Sequence, residues 1–154
     1  MANLQAELKQ SRPFKNLAEE AYLSLQRTAA MLEHQLETAL KPSGVTATQY
    51  NVLRILRGAG DQGLCRHEIG ERLIRNVSDV TRLLDRLEDS HLITRARGGE
   101  DRRYVTTRIT AAGLRLLTHL DSQIDAIHRT QFEHMDAERL RALVDLLALV
   151  RNVR

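Results

Sequence analysis

Tryptophan is absent from the 154 residues, and Phe and Tyr supply only two and three side chains. Any core must therefore be aliphatic, and a Leu-dominated core suits helix-on-helix packing better than a β-sandwich. A single cysteine, Cys65, excludes an intramolecular disulfide framework and fits a reducing compartment. No uninterrupted apolar run approaches membrane-spanning length, and the opening MANLQAELKQ carries no apolar signal-peptide core. The expectation is a cytoplasmic protein without a membrane partner. Lysine is scarce too, occurring only at Lys9, Lys15 and Lys41.

What is present is ordinary in bulk. Hydrophobic residues make up 42% and charged residues 28% of the chain, a globular balance at a length that suits one domain. The formal charge of +3 is modest, so the type and placement of the cations matter more than their sum. Nearly all are Arg, whose planar fork of donors matches phosphate oxygens and guanine edges.

Along the chain, residues 1–10 read as a polar extension and residues 11–154 as a single domain. Pro13 stands where a first helical position tolerates proline. From Phe14, Leu17, Ala18, Ala21, Tyr22, Leu25, Ala29, Leu32, Leu36 and Leu40 recur at three-and-four spacing, which predicts one amphipathic helix of about seven turns. Lys41-Pro42-Ser43-Gly44 stops it. Thr46 and Gln49 form a capping box, opening a short helix with Tyr50, Leu53 and Leu56 on one face. A glycine-rich stretch over residues 58–63 ends that helix, and another starts near Cys65, burying Ile69 and Leu73. Asn76, with Asp79 three residues on, is the expected cap of the next helix, whose inner stripe is Val80, Leu83, Leu84 and Leu87.

At His91 the texture changes. Two runs rich in β-branched residues, 92–97 and 104–109, flank Gly98-Gly99-Glu100-Asp101-Arg102-Arg103, which predicts a hairpin with a longer loop. Thr110 then caps a helix carrying Leu114, Leu117, Leu120, Ile124 and Ile127. Asp136 caps a last one carrying Leu140, Leu143, Val144, Leu147 and Val150. The fold class is mainly α with a small β-hairpin (α+β). Two short helices followed by a twisted hairpin make a winged helix-turn-helix over residues 45–109. Long helices over 11–44 and 110–154 flank it, and their apolar stripes exceed what a soluble monomer exposes, so a homodimer is expected.

Ser78, Arg82 and Arg86 are each four residues apart, which on a helix lines one outer ridge; Asp79 projects from the same side. A ridge of small polar residues and Arg suits insertion into the major groove of double-stranded DNA. Arg75, just before the expected cap, is placed to hold a phosphate. The segment 91–110 carries five Arg, among them Arg97, Arg102 and Arg103, against Glu100 and Asp101. Its glycine-bearing tip has no place in a core, so it projects as a basic wing. Such an Arg suits a narrow, negative minor groove, and Asp101 lies close enough to Arg103 to steer its guanidinium.

The run Val80-Thr81-Arg82-Leu83-Leu84-Asp85-Arg86-Leu87-Glu88, the Asp101-Arg102-Arg103 tip and Ile109-Thr110-Ala111-Ala112-Gly113 resemble the MarR family of bacterial transcription regulators. The resemblance covers roughly residues 14–150. It implies a homodimer with interleaved terminal helices, reading a pseudo-palindromic operator with two heads, with Arg103 entering the minor groove. The expected DNA contacts are Arg75, Asn76, Ser78, Asp79, Thr81, Arg82, Arg86, Arg97, Asp101, Arg102 and Arg103. It further implies a repressor released by a small phenolic or anionic ligand, bound where the long N-terminal helix and the helices after Thr46 and Thr110 meet. Tyr22, Gln26, Tyr50 and Arg54 are the polar pocket candidates.

Three other readings stand beside this one. Cys65 occupies a helix cap where Ser or Thr is usual, with Glu68 placed to complete the box. A helix N-terminus activates thiols, so Cys65 is the candidate for a redox-responsive regulator, although a small half-buried residue is the ordinary reading. His34, His119, His128 and His134 fall on the flanking helices without an HxxxH pair or a neighbouring Cys, so no metal site is assigned. No phosphate loop, nucleophile elbow or catalytic pairing occurs, which predicts no enzyme and no cofactor. The remaining alternative is a winged-helix module for protein–protein contact, against which the Arg-bearing wing argues.

Overall fold

In a computed structural model, described for residues 3–97 and 105–152, the chain forms seven α-helices and a three-stranded sheet among the described residues. The order is α1 (Leu4–Glu7), α2 (Leu17–Leu40), α3 (Ala47–Ala59), β1 (Leu64–Cys65), α4 (Arg66–Arg72), α5 (Val80–Asp89), β2 (Ile93–Arg97), β3 (Val105–Ile109), α6 (Ala111–Gln131) and α7 (Ala137–Arg151). The expected class holds, with two refinements. The long helix begins at Leu17 rather than at Pro13, because Asn16 is the better cap: its side chain accepts from the Glu19 amide at 2.9 Å. The Glu19 carboxylate in turn accepts from the Lys15 amide at 2.6 Å. Secondly, the hairpin gains a third strand, in the order β1-β3-β2, with all pairs antiparallel.

Local capping fixes most helix starts. The Thr46 hydroxyl accepts from the Gln49 amide at 3.2 Å, and the Gln49 side chain accepts from the Thr46 amide at 2.9 Å. The side-chain oxygens of Thr110 and Asp136 cap α6 and α7 by accepting from the Gly113 and Arg139 amides, at 3.0 Å and 2.8 Å. Beyond α2, a single 3₁₀ turn over Lys41–Ser43 ends on Gly44 at φ 72°, a left-handed position that glycine occupies without strain.

The aliphatic core sits where α3 meets α2, α4, α6 and the sheet. Leu40, Val52, Leu53, Leu56, Ile69, Leu87, Leu117 and Leu120 are fully enclosed. Gly113 sets how closely α6 approaches the chain that leaves α5: a Cβ there would lie 2.4 Å from the Leu92 carbonyl oxygen and 2.7 Å from Ile109. A bidentate ion pair from Arg57 to Asp121, at 2.8 and 3.0 Å, ties α3 to α6. In contrast, α7 contributes no buried residue and leaves Val144, Leu146, Leu149 and Val150 exposed.

Candidate nucleic-acid interface

Helix α5 presents the predicted division. Leu84 and Leu87 are buried, Val80 and Leu83 are half-buried, and Arg82 and Arg86 face outward. Its start differs from the sequence expectation. Asp79, not Asn76, is the cap, accepting from the Arg82 amide at 2.9 Å. The apolar stripe explains this, since Val80, beside Gly70 of α4, is its first member, and a helix begun at Val80 applies the stripe to the head from its first turn. Ser78 consequently lies outside the helix, and the expected three-residue ridge reduces to Arg82 and Arg86. Neither guanidinium has an ion-pair partner among the described residues.

Asn76, Val77 and Ser78 line a shallow depression with Arg66, His67 and Glu71 of α4. The Arg66 guanidinium donates to the Thr81 hydroxyl at 3.2 Å, which places an unpredicted cation beside the recognition helix. The available signal was position alone: Arg66 opens the helix that precedes α5. Arg75 departs further from expectation. It forms an ion pair with Glu33 of α2, on the side of the connection that faces the flanking helices.

The wing is less cationic than its composition suggests. The Arg95 guanidinium donates to Glu88 at 2.8 and 2.6 Å and pairs with Asp85 at 2.6 Å, while its amide donates to Glu88 at 3.0 Å. This network clamps the strand β2 to α5, and the hydrogen-bonded Arg95 holds the Glu88 carboxyl below its ordinary range. Arg108 donates to the Asp61 carbonyl at 2.7 Å. Two of the five Arg counted toward the wing are therefore engaged internally. Arg97 is exposed at the end of β2, whereas Asp101, Arg102 and Arg103 lie outside the described residues.

A cavity of about 380 Å³ opens behind the head, between α2, α3, the end of α6 and the α4–α5 connection. Tyr50 and Arg54 line it as expected, with the Arg54 guanidinium 5.9 Å from the Tyr50 ring centroid, within cation–π reach. Burial pushes the Tyr50 phenol up, against the opposing pull of Arg54, so it remains a neutral donor. Tyr22 and Gln26 do not line the cavity; both are exposed on α2. They share a helical stripe with Ala29, Glu33 and Leu36, which do line it, and lie further toward the N-terminus of α2. His128 and Gln131 complete the wall, their side chains 3.1 Å apart.

Cys65 is half-buried in β1, directly before α4, and its amide donates to the Glu68 carboxylate at 2.8 Å. Among the described residues no three His, Cys, Asp or Glu side chains come together to hold a metal ion, and no helix is long and apolar enough to cross a membrane.

The sequence profile of the MarR family matches residues 45–105, the segment running from the start of α3 to β3. The HTH-type transcriptional repressor MdtR of Bacillus subtilis is 34% identical over 97 residues, covering 63% of this chain and 61% of that protein. A MarR transcription factor from Planctomyces limnophilus is 37% identical with a TM-score of 0.68, covering 89% of this chain and 99% of that one. Bordetella bronchiseptica BpsR, whose DNA binding is regulated by 6-hydroxynicotinic acid, superposes with a TM-score of 0.80 at 21% identity, over 93% and 100% of the two chains; at that identity the likeness speaks for the fold alone.

Proposed function

The chain belongs to the MarR family of transcriptional regulators, and from that premise we propose that it is a homodimeric, ligand-responsive repressor acting in the cytoplasm on a pseudo-palindromic operator. The observation that carries this reading is the exposed pair Arg82 and Arg86, without ion-pair partners among the described residues, on a helix whose opposite face is locked into the head. Guanidinium groups kept free of internal partners on a rigid helix are what base readout in a major groove requires. In this reading residues 45–109 are the DNA-binding part, and residues 11–44 and 110–154 join two copies.

Within it, Arg82 and Arg86 read bases, Asn76, Ser78 and Thr81 contact the adjoining backbone, Asp79 holds the first turn of α5 against the DNA by accepting from the Arg82 amide, and Arg66 joins them. Arg97, Arg102 and Arg103 form the minor-groove wing, with Asp101 orienting Arg103. Arg75, engaged by Glu33, is left out of that set. The cavity lined by Tyr50 and Arg54 takes the effector, a small phenolic or anionic molecule, as the regulation of BpsR by 6-hydroxynicotinic acid suggests by analogy.

The test is binding to an operator identified by genomic footprinting, followed by fluorescence anisotropy at one fixed salt. Arg82→Ala should cost about 1–3 kcal/mol on the operator and relax preference at one position. Arg103→Ala should lower affinity at least about tenfold, and less on operators with GC flanks. Equal losses on operator and random duplex for Arg82→Ala would remove the recognition ridge from the interface.

A further inference from the structure

Helices α4 and α5 are anchored in the core by Ile69 and Leu84, and a single side-chain hydrogen bond crosses between them on the solvent side. In it the Arg66 guanidinium donates to the Thr81 hydroxyl at 3.2 Å, fifteen positions away. Both residues are exposed, so the bond adds little to the packing of two helices already held from behind. What it changes is the cation. Ordering an exposed Arg on binding costs rotamer entropy, and an Arg already held in place loses less. Arg66 is held at the first turn of α5, beside Arg82, and no carboxylate pairs with it among the described residues. The acids nearby are engaged elsewhere. Glu71, the one carboxylate lining the depression between the two helices, lies 3.3 Å from His67 Nε2, and Asp79 accepts from the Arg82 amide.

We infer that Arg66 and Thr81 form a two-point clamp on one and the same backbone phosphate of the duplex, Thr81 both holding Arg66 in place and donating to that phosphate. This deepens the proposed function and rests on duplex binding by α5. The donor inventory permits it. A hydroxyl offers one donor and two acceptor sites, so the Thr81 oxygen that accepts from Arg66 still has its own proton to give. A guanidinium carries N–H donors on three nitrogens, and the bond to Thr81 occupies one of them. The two side chains therefore converge from two helices on a single acceptor group that carries negative charge and has no hydrogen of its own. A phosphodiester meets that description, since its two unesterified oxygens share one charge and accept charge-assisted hydrogen bonds. Phosphates carry no base identity, so the clamp sets where α5 sits on the backbone, and Arg82, the residue after Thr81, reads from that position.

Fluorescence anisotropy of the full-length protein on its footprinted operator and on a random duplex, over a series of salt concentrations, tests the clamp. Arg66→Ala should weaken both duplexes alike, at least about tenfold, and reduce the slope of log affinity against log salt by about one. Thr81→Val should lose about three- to tenfold with little change in slope. Thr81→Ser, which keeps the hydroxyl, should bind like wild type. The double variant Arg66→Ala with Thr81→Val should lose clearly less than the product of the two single losses, because both act on one group. Operators carrying a single uncharged methylphosphonate, moved stepwise along a half-site, locate that group: at one position the losses of Arg66→Ala and of Thr81→Val should both shrink to under about threefold. Losses that multiply in the double variant, suppression at two different phosphates, or an unchanged salt slope in Arg66→Ala would overturn the clamp. An Arg66→Ala loss confined to the operator would also overturn it, by making Arg66 a base reader. A lowered melting temperature in Thr81→Val with operator affinity intact would do the same, by reducing the bond to a structural tie between helices. Arg82→Ala measured alongside separates the two readings. Lost base preference there, with no effect at Arg66 or Thr81, discards the clamp alone, whereas a wild type that binds no duplex removes both.

Discussion

The reading head and the C-terminal helix are built from similar material and finished differently. Helix α3 of the head buries Tyr50, Val52, Leu53 and Leu56, and α5 buries Leu84 and Leu87, all against neighbours in the same chain. Helix α7 is as rich in Leu and Val yet buries none of its residues, leaving Leu149 70% and Val144 61% exposed. The head also neutralises charges within the chain, Arg95 on Glu88 and Asp85 inside the head and Arg57 on Asp121 of α6. One region is thus closed within a single chain, and in the proposed homodimer a second copy covers the apolar face of the other. A regulator that must place two heads at a fixed spacing gains from this division: the heads stay rigid while the interface sets their separation.

The comparison breaks most sharply where α7 is made polar. Leu146→Glu with Leu149→Glu should abolish the dimer, reducing the sedimenting mass from twice 17.5 kDa to one chain. Operator affinity should then fall at least about a hundredfold, because two linked half-site contacts become one. A double variant that remains dimeric would place the dimer interface elsewhere than α7.

The seam between the two regions comes next. Gly113 stands where α6 leaves the sheet, and a Cβ there would collide with the Leu92 carbonyl oxygen at 2.4 Å. That neighbour is backbone, so relief requires moving α6 or the end of α5, at a cost of about 1–3 kcal/mol or more. Gly113→Ala should lower the urea midpoint accordingly without changing the dimer. An unchanged midpoint would show that the seam has slack and that head and helices are less tightly registered than the contacts imply.

Arg95 sharpens the distinction between a cation that binds DNA and one that builds the head. Arg95→Met removes a side chain that is 24% exposed and leaves Glu88 and Asp85 without their cation beside the recognition helix. Stability should fall by about 1–2 kcal/mol. Operator affinity should fall only a few-fold, alike for all flanking sequences, since the two freed carboxylates repel phosphate rather than misread a base. A sequence-dependent loss would instead make Arg95 a reader.

How much of this was legible in the sequence follows the range of the interactions. Caps are local, so Thr46, Thr110 and Asp136 could be read directly from residues three positions apart. The apolar stripe of α5 was equally plain. Strand β1 was not, because its two residues are a strand only through pairing with Thr106 and Thr107 of β3, some forty positions away. The choice between Asn76 and Asp79 as cap turned on Val80 meeting Gly70, again a tertiary fact. Counting Arg in the wing overstated its charge, since the partners of Arg95 and Arg108 are set by the fold. Among the ligand candidates named on the resemblance, Tyr22 and Gln26 lie off the cavity and Tyr50 and Arg54 line it, because nothing in a helix itself records where its neighbour crosses it.

The smallest expected effect is acid sensitivity, and it tests whether the ion pairs within the head and between the head and α6 contribute in solution. The Arg95 hydrogen bonds hold the Glu88 carboxyl below its ordinary value of 4.5, and the Arg57 hydrogen bonds hold Asp121 below 3.8. A carboxylate with a lowered folded-state pKa binds fewer protons in the folded chain than in the unfolded chain. Its stabilisation is therefore complete above the unfolded value and fades as pH falls through the folded one. Both side chains are partly open to water, Asp121 at 47% and Glu88 at 37%, so screening keeps each contribution small. The measurement is thermal unfolding of wild type and of Glu88→Gln with Asp121→Asn between about pH 7 and pH 3. The variant should melt slightly lower at neutral pH and lose less on acidification, so the two curves converge as the acid limb is descended. Parallel curves would mean that the pairs are present but carry no net stability, leaving the head to be held by its aliphatic core alone.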